Sequence, residues 1–168
     1  MKTRNKKYFF FPLITLITLT IILTYPTTET NKVIIDGKEY LTPNTEISIK
    51  LEYEHSVELT KITEEYEIKN CEITLTTFTW PGYGAGLPSR PEDTPSQTKD
   101  ESGNYVARNI TLNTTTLKIS MKHRVNPKLT INNKEVESKE EVVVITCVRT
   151  PLIEILTSRK LPQANDDT

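Results

Sequence analysis

The sequence predicts one all-β domain, an antiparallel β-sandwich or a barrel-like fold, that follows an N-terminal membrane helix. From Glu46 to Val57 the odd positions are mostly apolar and the even positions are polar, which is the period-two pattern of a half-buried strand. Later segments are short, rich in β-branched residues and separated by turn residues, as in sandwiches and barrels. No segment after the N-terminus has a sustained 3.6-residue period, so strands are expected throughout the domain.

Residues 1–26 have the pattern of a signal anchor or a signal peptide. Four cations lie within the first seven positions, before an uncharged run from Tyr8 to Pro26, and such a start sends the following chain across the membrane. As a helix, Tyr8 to Tyr25 would span about 27 Å, close to a hydrocarbon core of about 30 Å. Because no small-residue cleavage site follows, the pattern favours an uncleaved anchor with the C-terminal domain outside the cytoplasm. If the segment is cleaved, a secreted domain is expected.

The rest of the chain divides into a polar linker (27–32), an extracytoplasmic β-domain (33–160) and a loose tail (161–168). Within the domain, Asp36 and Gly37 predict a tight hairpin turn. Beyond the four N-terminal cations, 17 basic residues face 22 acidic ones, and this excess of acid argues against nucleic acid as a partner. The sequence offers no cofactor motif. A zinc site is not predicted either, because His55 and His123 are far apart in the chain.

Two pairs of residues are candidates for covalent modification. Cys71 and Cys147 each lie in a strand-like segment; they could form a disulfide in an oxidising compartment or remain as buried free thiols. Asn109 and Asn113 match the N-glycosylation acceptor pattern, which matters only in a host that glycosylates.

The main site hypothesis concerns a hairpin between the alternating strand and the stretch ITEEYEI, joined through Leu59 and Thr60. One register places His55 opposite Glu64 on the apolar face, and it also matches the apolar pairs Val57–Ile62, Tyr53–Tyr66 and Leu51–Ile68. A slip of two residues would place His55 beside Tyr66 and keep Glu64 inside. Two interpretations stay open: a buried hydrogen bond that satisfies both polar groups, or a cleft that contacts a ligand or metal.

Two other features each have a structural and a functional interpretation. The stretch WPGYGAGLP contains Gly82, Gly84 and Gly86; it is either a constrained turn or a loop that offers backbone N–H groups to an anion. The outer face of the hairpin is expected to be acidic, which is typical of a solvated surface and would also suit a weak Ca²⁺ site; its acids are Glu52, Glu54, Glu65 and Glu67.

The stretch HSVELTKITEEYEI, followed by GYGAGLP, resembles domain-of-unknown-function family 1850. The resemblance covers Tyr53 to Pro88, and the later segment MKHRVNPKLTIN is loosely similar to the family. Lys61 stands where the family often has proline, so the hairpin turn is expected to differ. The matching residues are His55, Ser56, Val57, Glu58, Glu64, Gly84, Ala85, Gly86, Leu87 and Pro88.

The resemblance implies a small membrane-associated protein encoded beside tripartite ATP-independent periplasmic (TRAP) transporters of the TAXI type. The expected function is therefore a non-enzymatic extracytoplasmic accessory domain that contacts the permease or the solute-binding protein. The alternative is a stand-alone module that binds a small ligand or a cation. An enzyme is not expected, because no nucleophile, base and orienting group can be assembled; no catalytic residue is assigned. The binding hypothesis rests on His55, Glu58, Glu64, Gly84 and Gly86.

Overall fold

The computed structural model of the protein describes residues 7–42, 46–82, 87, 97–122, 124–137 and 141–158. These residues form two helices and eleven strands. They are α1 (Lys7–Thr24), β1 (Pro26–Ile35), β2 (Lys38–Thr42), β3 (Glu46–Glu54), β4 (Lys61–Lys69), β5 (Glu72–Trp80), β6 (Thr98–Lys99), β7 (Tyr105–Leu112), β8 (Thr116–Ser120), β9 (Val125–Ile131), β10 (Lys134–Val136), β11 (Val142–Pro151) and α2 (Leu152–Thr157).

The strands form two antiparallel sheets. One sheet has four strands in the order β2-β1-β11-β8, and the other has seven in the order β10-β9-β3-β4-β5-β7-β6. Within the described part of the chain neither sheet closes on itself. The predicted all-β class is therefore confirmed, and the barrel-like alternative is wrong.

Two predicted hairpins are present. β1 and β2 pair with Ile35 opposite Lys38, and the turn residues Asp36 and Gly37 have φ values of 50° and 65°, as a two-residue turn of type I′ requires. β3 and β4 form the expected antiparallel pair, although their register differs from the predicted one.

An apolar core lies between the two sheets. The alternation of β3 buries Ile47, Ile49 and Leu51 almost completely, because successive side chains of a strand point to opposite faces. The four-stranded sheet contributes Val33 and Ile145, among others, to the same cluster. A second, smaller cluster lies at the other ends of β4, β5 and β7 and consists of Ile62, Trp80 and Ala107.

The two ends of the chain differ from the prediction. Residues 27–32, predicted as a linker, belong to β1, whose backbone pairs with β11 on one side and β2 on the other. Leu152–Thr157, predicted as a strand, forms helix α2, which packs near α1.

The predicted anchor segment does form helix α1. However, among the described residues no helix combines the length and apolar character that crossing a membrane requires. The predicted tail (161–168) lies outside the described residues.

A disulfide links the two sheets. Cys71 lies in the turn between β4 and β5, Cys147 lies in β11, and the two Cα atoms are 5.3 Å apart. Of the two states left open by the sequence, the structure has the disulfide. Because the bridge joins segments that are 76 residues apart in the chain, it restricts the unfolded chain as well as the folded one.

Candidate functional site

The connection between β3 and β4 is a six-residue turn, His55–Thr60, which we call the exposed turn. The N–H of His55 donates to the carbonyl of Thr60, and the N–H of Leu59 donates to the carbonyl of His55, both at 2.9 Å. The imidazole Nδ1 of His55 accepts from the N–H groups of Val57 (3.4 Å) and Glu58 (3.3 Å). The side chain of His55 therefore stabilises the turn through hydrogen bonds to its backbone.

The predicted pairing of His55 with Glu64 is wrong. In the structure Tyr53 lies opposite Ile62 and Leu51 lies opposite Glu64, a shift of four residues from the predicted register. Because four is even, the shift leaves the side chains within β3 and β4 on their predicted faces. Glu64 is accordingly buried, at 8% exposure, while His55 lies beyond the end of β3 and caps a turn instead.

The observed register also changes the outer face of the hairpin. It places unlike charges opposite each other in the pairs Glu54–Lys61, Lys50–Glu65 and Glu46–Lys69. Lys61 Nζ lies 2.8 Å from a carboxylate oxygen of Glu52. The four acids predicted for the outer face are therefore not opposite one another, and cross-strand ion pairs with lysines lie among them. Among the described residues no three His, Cys, Asp or Glu side chains are arranged to hold a metal ion.

Glu64 is the centre of a polar network on the inner face. The hydroxyl groups of Tyr53 and Tyr66 donate to its two carboxylate oxygens, at 2.7 Å and 2.6 Å. Nη2 of Arg124 donates to the same oxygen as Tyr53, at 3.1 Å. The guanidinium carbon of Arg124 also lies 4.4 Å from the ring centroid of Tyr53, close enough for a cation–π contact. The network thus pairs a buried carboxylate with one cation and two neutral donors.

The pKa values of both tyrosines in the network are raised. Burial, together with the neighbouring Glu64 carboxylate, raises the pKa of Tyr53 to about 12. The same two causes, burial first, raise the pKa of Tyr66 further above its ordinary value. Both hydroxyls therefore stay protonated well above neutral pH and remain hydrogen-bond donors.

Sequence reasoning did not find Tyr53, Tyr66 and Arg124 as partners of Glu64. Arg124 belongs to the segment MKHRVNPKLTIN, whose similarity to the family is only loose. It directly precedes β9, where the register against β3 shifts between Glu52 and Glu54 and Asn126 has a φ of 48°. A bulge of this kind re-aims nearby side chains, and a single sequence gives little sign of it.

The exposed turn meets the start of the glycine-rich loop. Glu58, Thr60, Pro81 and Gly82 line a cleft of about 110 Å³. The structure thus brings Glu58 of the predicted binding set beside the first residues of the loop. Gly84 and Gly86 of that set, and His123, lie outside the described residues.

The acceptor asparagines are exposed. Asn109 lies in β7 and Asn113 directly after it, and both side chains face solvent.

The chain belongs to the family described as Domain of unknown function (DUF1850), whose model matches residues 49–137. This span contains most of the seven-stranded sheet, the exposed turn and all four residues of the Glu64 network. Strands β1, β2 and β11 lie outside it. Comparisons with curated proteins and with solved structures found no match.

Proposed function

We propose that this protein is a non-enzymatic accessory domain that acts on the extracytoplasmic side of the membrane, in association with a TRAP transporter of the TAXI type. The observation that carries the proposal is the exposed turn. The imidazole of His55 is engaged by two backbone N–H groups, so this histidine fixes the shape of a surface feature. A turn whose backbone is hydrogen-bonded to its own side chain and open to solvent suits recognition of another protein.

The polar network supports a structural use of Glu64 in the same domain. Both of its carboxylate oxygens already accept hydrogen bonds from Tyr53, Tyr66 and Arg124. No serine, threonine or cysteine side chain is among these partners. A carboxylate that accepts three hydrogen bonds in this way connects strands β3 and β4 beneath the turn.

Two features support an extracytoplasmic location. The disulfide between Cys71 and Cys147 is typical of proteins in oxidising compartments. The basic N-terminus followed by an apolar segment is typical of an exported chain, as an anchor or as a cleaved signal.

The test is binding of the full chain to purified components of a TAXI-type transporter from the same organism. The detergent-solubilised permease and the purified solute-binding protein are immobilised separately, and binding of the full chain is measured by biolayer interferometry. Saturable binding to either component is expected. A genome without such a transporter, or no binding to either component, would overturn the proposal.

A second candidate is a stand-alone module for a small ligand, favoured by the cleft of about 110 Å³ beside Glu58 and Thr60. The hydroxyl oxygen of Thr60 is buried without a hydrogen-bond partner in the described part of the chain, and a polar ligand could supply one. A thermal-shift screen of small polar compounds and divalent cations tests it. A rise in melting temperature that Thr60→Val abolishes is the expected result, and a screen without any such rise argues against this candidate.

A further inference from the structure

The exposed turn concentrates the exposed apolar surface of the β-domain. Among the described residues between Pro26 and Pro151, the large apolar side chains that face solvent are Val57 (65% exposed), Leu59 (69%) and Val142 (38%). Two of the three thus lie within three residues of each other. Single exposed apolar residues are ordinary, whereas exposed apolar residues grouped in one turn are typical of a contact surface.

The backbone of Leu59 is a second sign. Its φ is 50°, in the left-handed region that glycine, asparagine and aspartate tolerate best. The other non-glycine residues with positive φ in the described chain are Asn or Asp, apart from Cys71. A leucine at such a place is unfavourable in its backbone and in its exposure to water. Costs of this kind persist where they serve a function.

We infer that the exposed turn is the contact surface for the partner, and that the partner is a folded protein with an apolar pocket and a basic residue at the rim of that pocket. Val57 and Leu59 enter the pocket, and Glu58, which is exposed between them, pairs with the basic residue. This inference rests on the proposed accessory function. It adds which surface binds and what chemistry the partner presents.

The charge of Glu58 selects a protein partner over two other occupants. A lipid surface containing anionic headgroups would repel a carboxylate between the two apolar side chains. A symmetric contact between two copies of the turn would bring two Glu58 side chains towards each other, because a two-fold interface matches a patch with itself. A basic residue at the rim of an apolar pocket complements the turn without either conflict.

The test compares turn variants in the full chain for two quantities, binding and thermal stability. Leu59→Gly removes the apolar side chain and also relieves the unfavourable backbone. Val57→Ser removes the other side chain. Val142→Ser is the matched control, an exposed valine away from the turn, and Leu59→Met keeps an apolar side chain in place. Binding is measured against the immobilised permease and solute-binding protein described above.

We expect Leu59→Gly and Val57→Ser to weaken binding about tenfold or more, the effect of losing one buried aliphatic side chain. Leu59→Gly should melt at the same temperature as the unchanged chain or higher. Val142→Ser and Leu59→Met should bind within about twofold of the unchanged chain. Glu58→Gln should weaken binding most at low salt, since an exposed charge pair is screened by ions.

The outcomes separate this inference from the function on which it rests. If the unchanged chain binds neither component, the accessory function fails. If it binds and both turn variants bind equally well, the accessory function stands and the turn is not the contact surface. If Glu58→Gln binds as tightly as the unchanged chain at every salt concentration, the proposed basic residue at the rim of the pocket is wrong. A photo-crosslinker at position 57 that captures only a second copy of the chain, or only lipid, overturns the choice of partner.

Discussion

Strands β3 and β4 have one character where they face the four-stranded sheet and another near the exposed turn. At the first end, Ile47, Ile49 and Ile68 are fully buried in the core between the sheets. Opposite Ile49 and on towards the turn, the same inner face carries Tyr66, Glu64 and Tyr53, which are joined by hydrogen bonds. The first end has the composition of a stable core. The second combines a polar network, beside the buried Ile62, with the exposed turn beyond it. We therefore assign stability to one end of this pair of strands and propose recognition for the other.

The disulfide belongs to the core end, and its removal should give the largest effect. In a variant with Cys71→Ser and Cys147→Ser, the free energy of unfolding should fall by about 4 kcal/mol, since the bridge closes a long loop. Urea titration of the oxidised chain and of the variant measures the loss. Partner binding at low temperature should be retained, because Cys71 follows the end of β4 that lies away from the exposed turn. A variant that unfolds at the same urea concentration as the unchanged chain would contradict a stabilising role.

Breaking the polar network should have the next largest effect. Glu64→Leu leaves Arg124 and the two tyrosine hydroxyls without their acceptor, and we expect a loss of about 3 kcal/mol. Adding Arg124→Leu to Glu64→Leu should restore part of the loss, because no unpaired charge then remains.

The control for that experiment is Glu67→Leu, on the outer face of the same strand, which should change stability by about 0.5 kcal/mol or less. Equal losses from Glu64→Leu and Glu67→Leu would show that the network contributes nothing particular.

The tyrosines predict how stability depends on pH. An unfolded tyrosine titrates near 10.0, whereas burial and Glu64 raise the pKa of Tyr53 to about 12 and that of Tyr66 beyond its usual range. The folded state therefore keeps protons that the unfolded state loses above pH 10. The contribution of these tyrosines to the free energy of unfolding is complete below about pH 10. It should be lost as the pH rises towards 12.

Urea midpoints measured from pH 8 to 12 test this dependence. Tyr53→Phe and Tyr66→Phe should each flatten the fall at high pH. A control variant, Tyr25→Phe, changes an exposed tyrosine and should leave the curve unaltered. A curve with the same slope in all four proteins would contradict the account.

Loss of the histidine cap should have the smallest effect on stability. His55→Ala removes the acceptor of the Val57 and Glu58 N–H groups and should cost about 1 kcal/mol, as loss of a side-chain cap does elsewhere. Its effect on partner binding should be larger, because the turn is then less ordered before contact. His55→Asn offers another acceptor for the same N–H groups and should restore most of the binding. Binding unchanged in His55→Ala would show that order in the turn is not needed.

The sequence predicted which face each residue of β3 and β4 occupies, but not how the strands align. Apolar matching favoured a register with Val57 opposite Ile62, whereas Val57 is exposed in the turn. The unlike charges of the outer face, such as Glu54 opposite Lys61, would have favoured the observed alignment. A period of two determines the face alone, because shifts by an even number of residues preserve it.

The network around Glu64 was harder to predict. Glu64 was expected inside, yet Arg124 is 60 residues away in the chain and reaches it only because β9 pairs with β3. The expected partner, His55, was nearer in sequence and better matched by simple alternation. Contacts set by sheet order and by a bulge depend on the whole fold, so local pattern does not reveal them.

One paired measurement tests the division between the two ends most directly. Ile145→Ala changes a fully buried residue of the core, and Val57→Ser changes the exposed turn. Thermal stability and partner binding are measured for both variants, with binding measured at a temperature where both are folded. The account predicts that Ile145→Ala loses about 2–5 kcal/mol of stability and keeps its affinity, while Val57→Ser keeps its stability and loses affinity. If stability and affinity fall together in both variants, the two ends are not specialised and the account is contradicted.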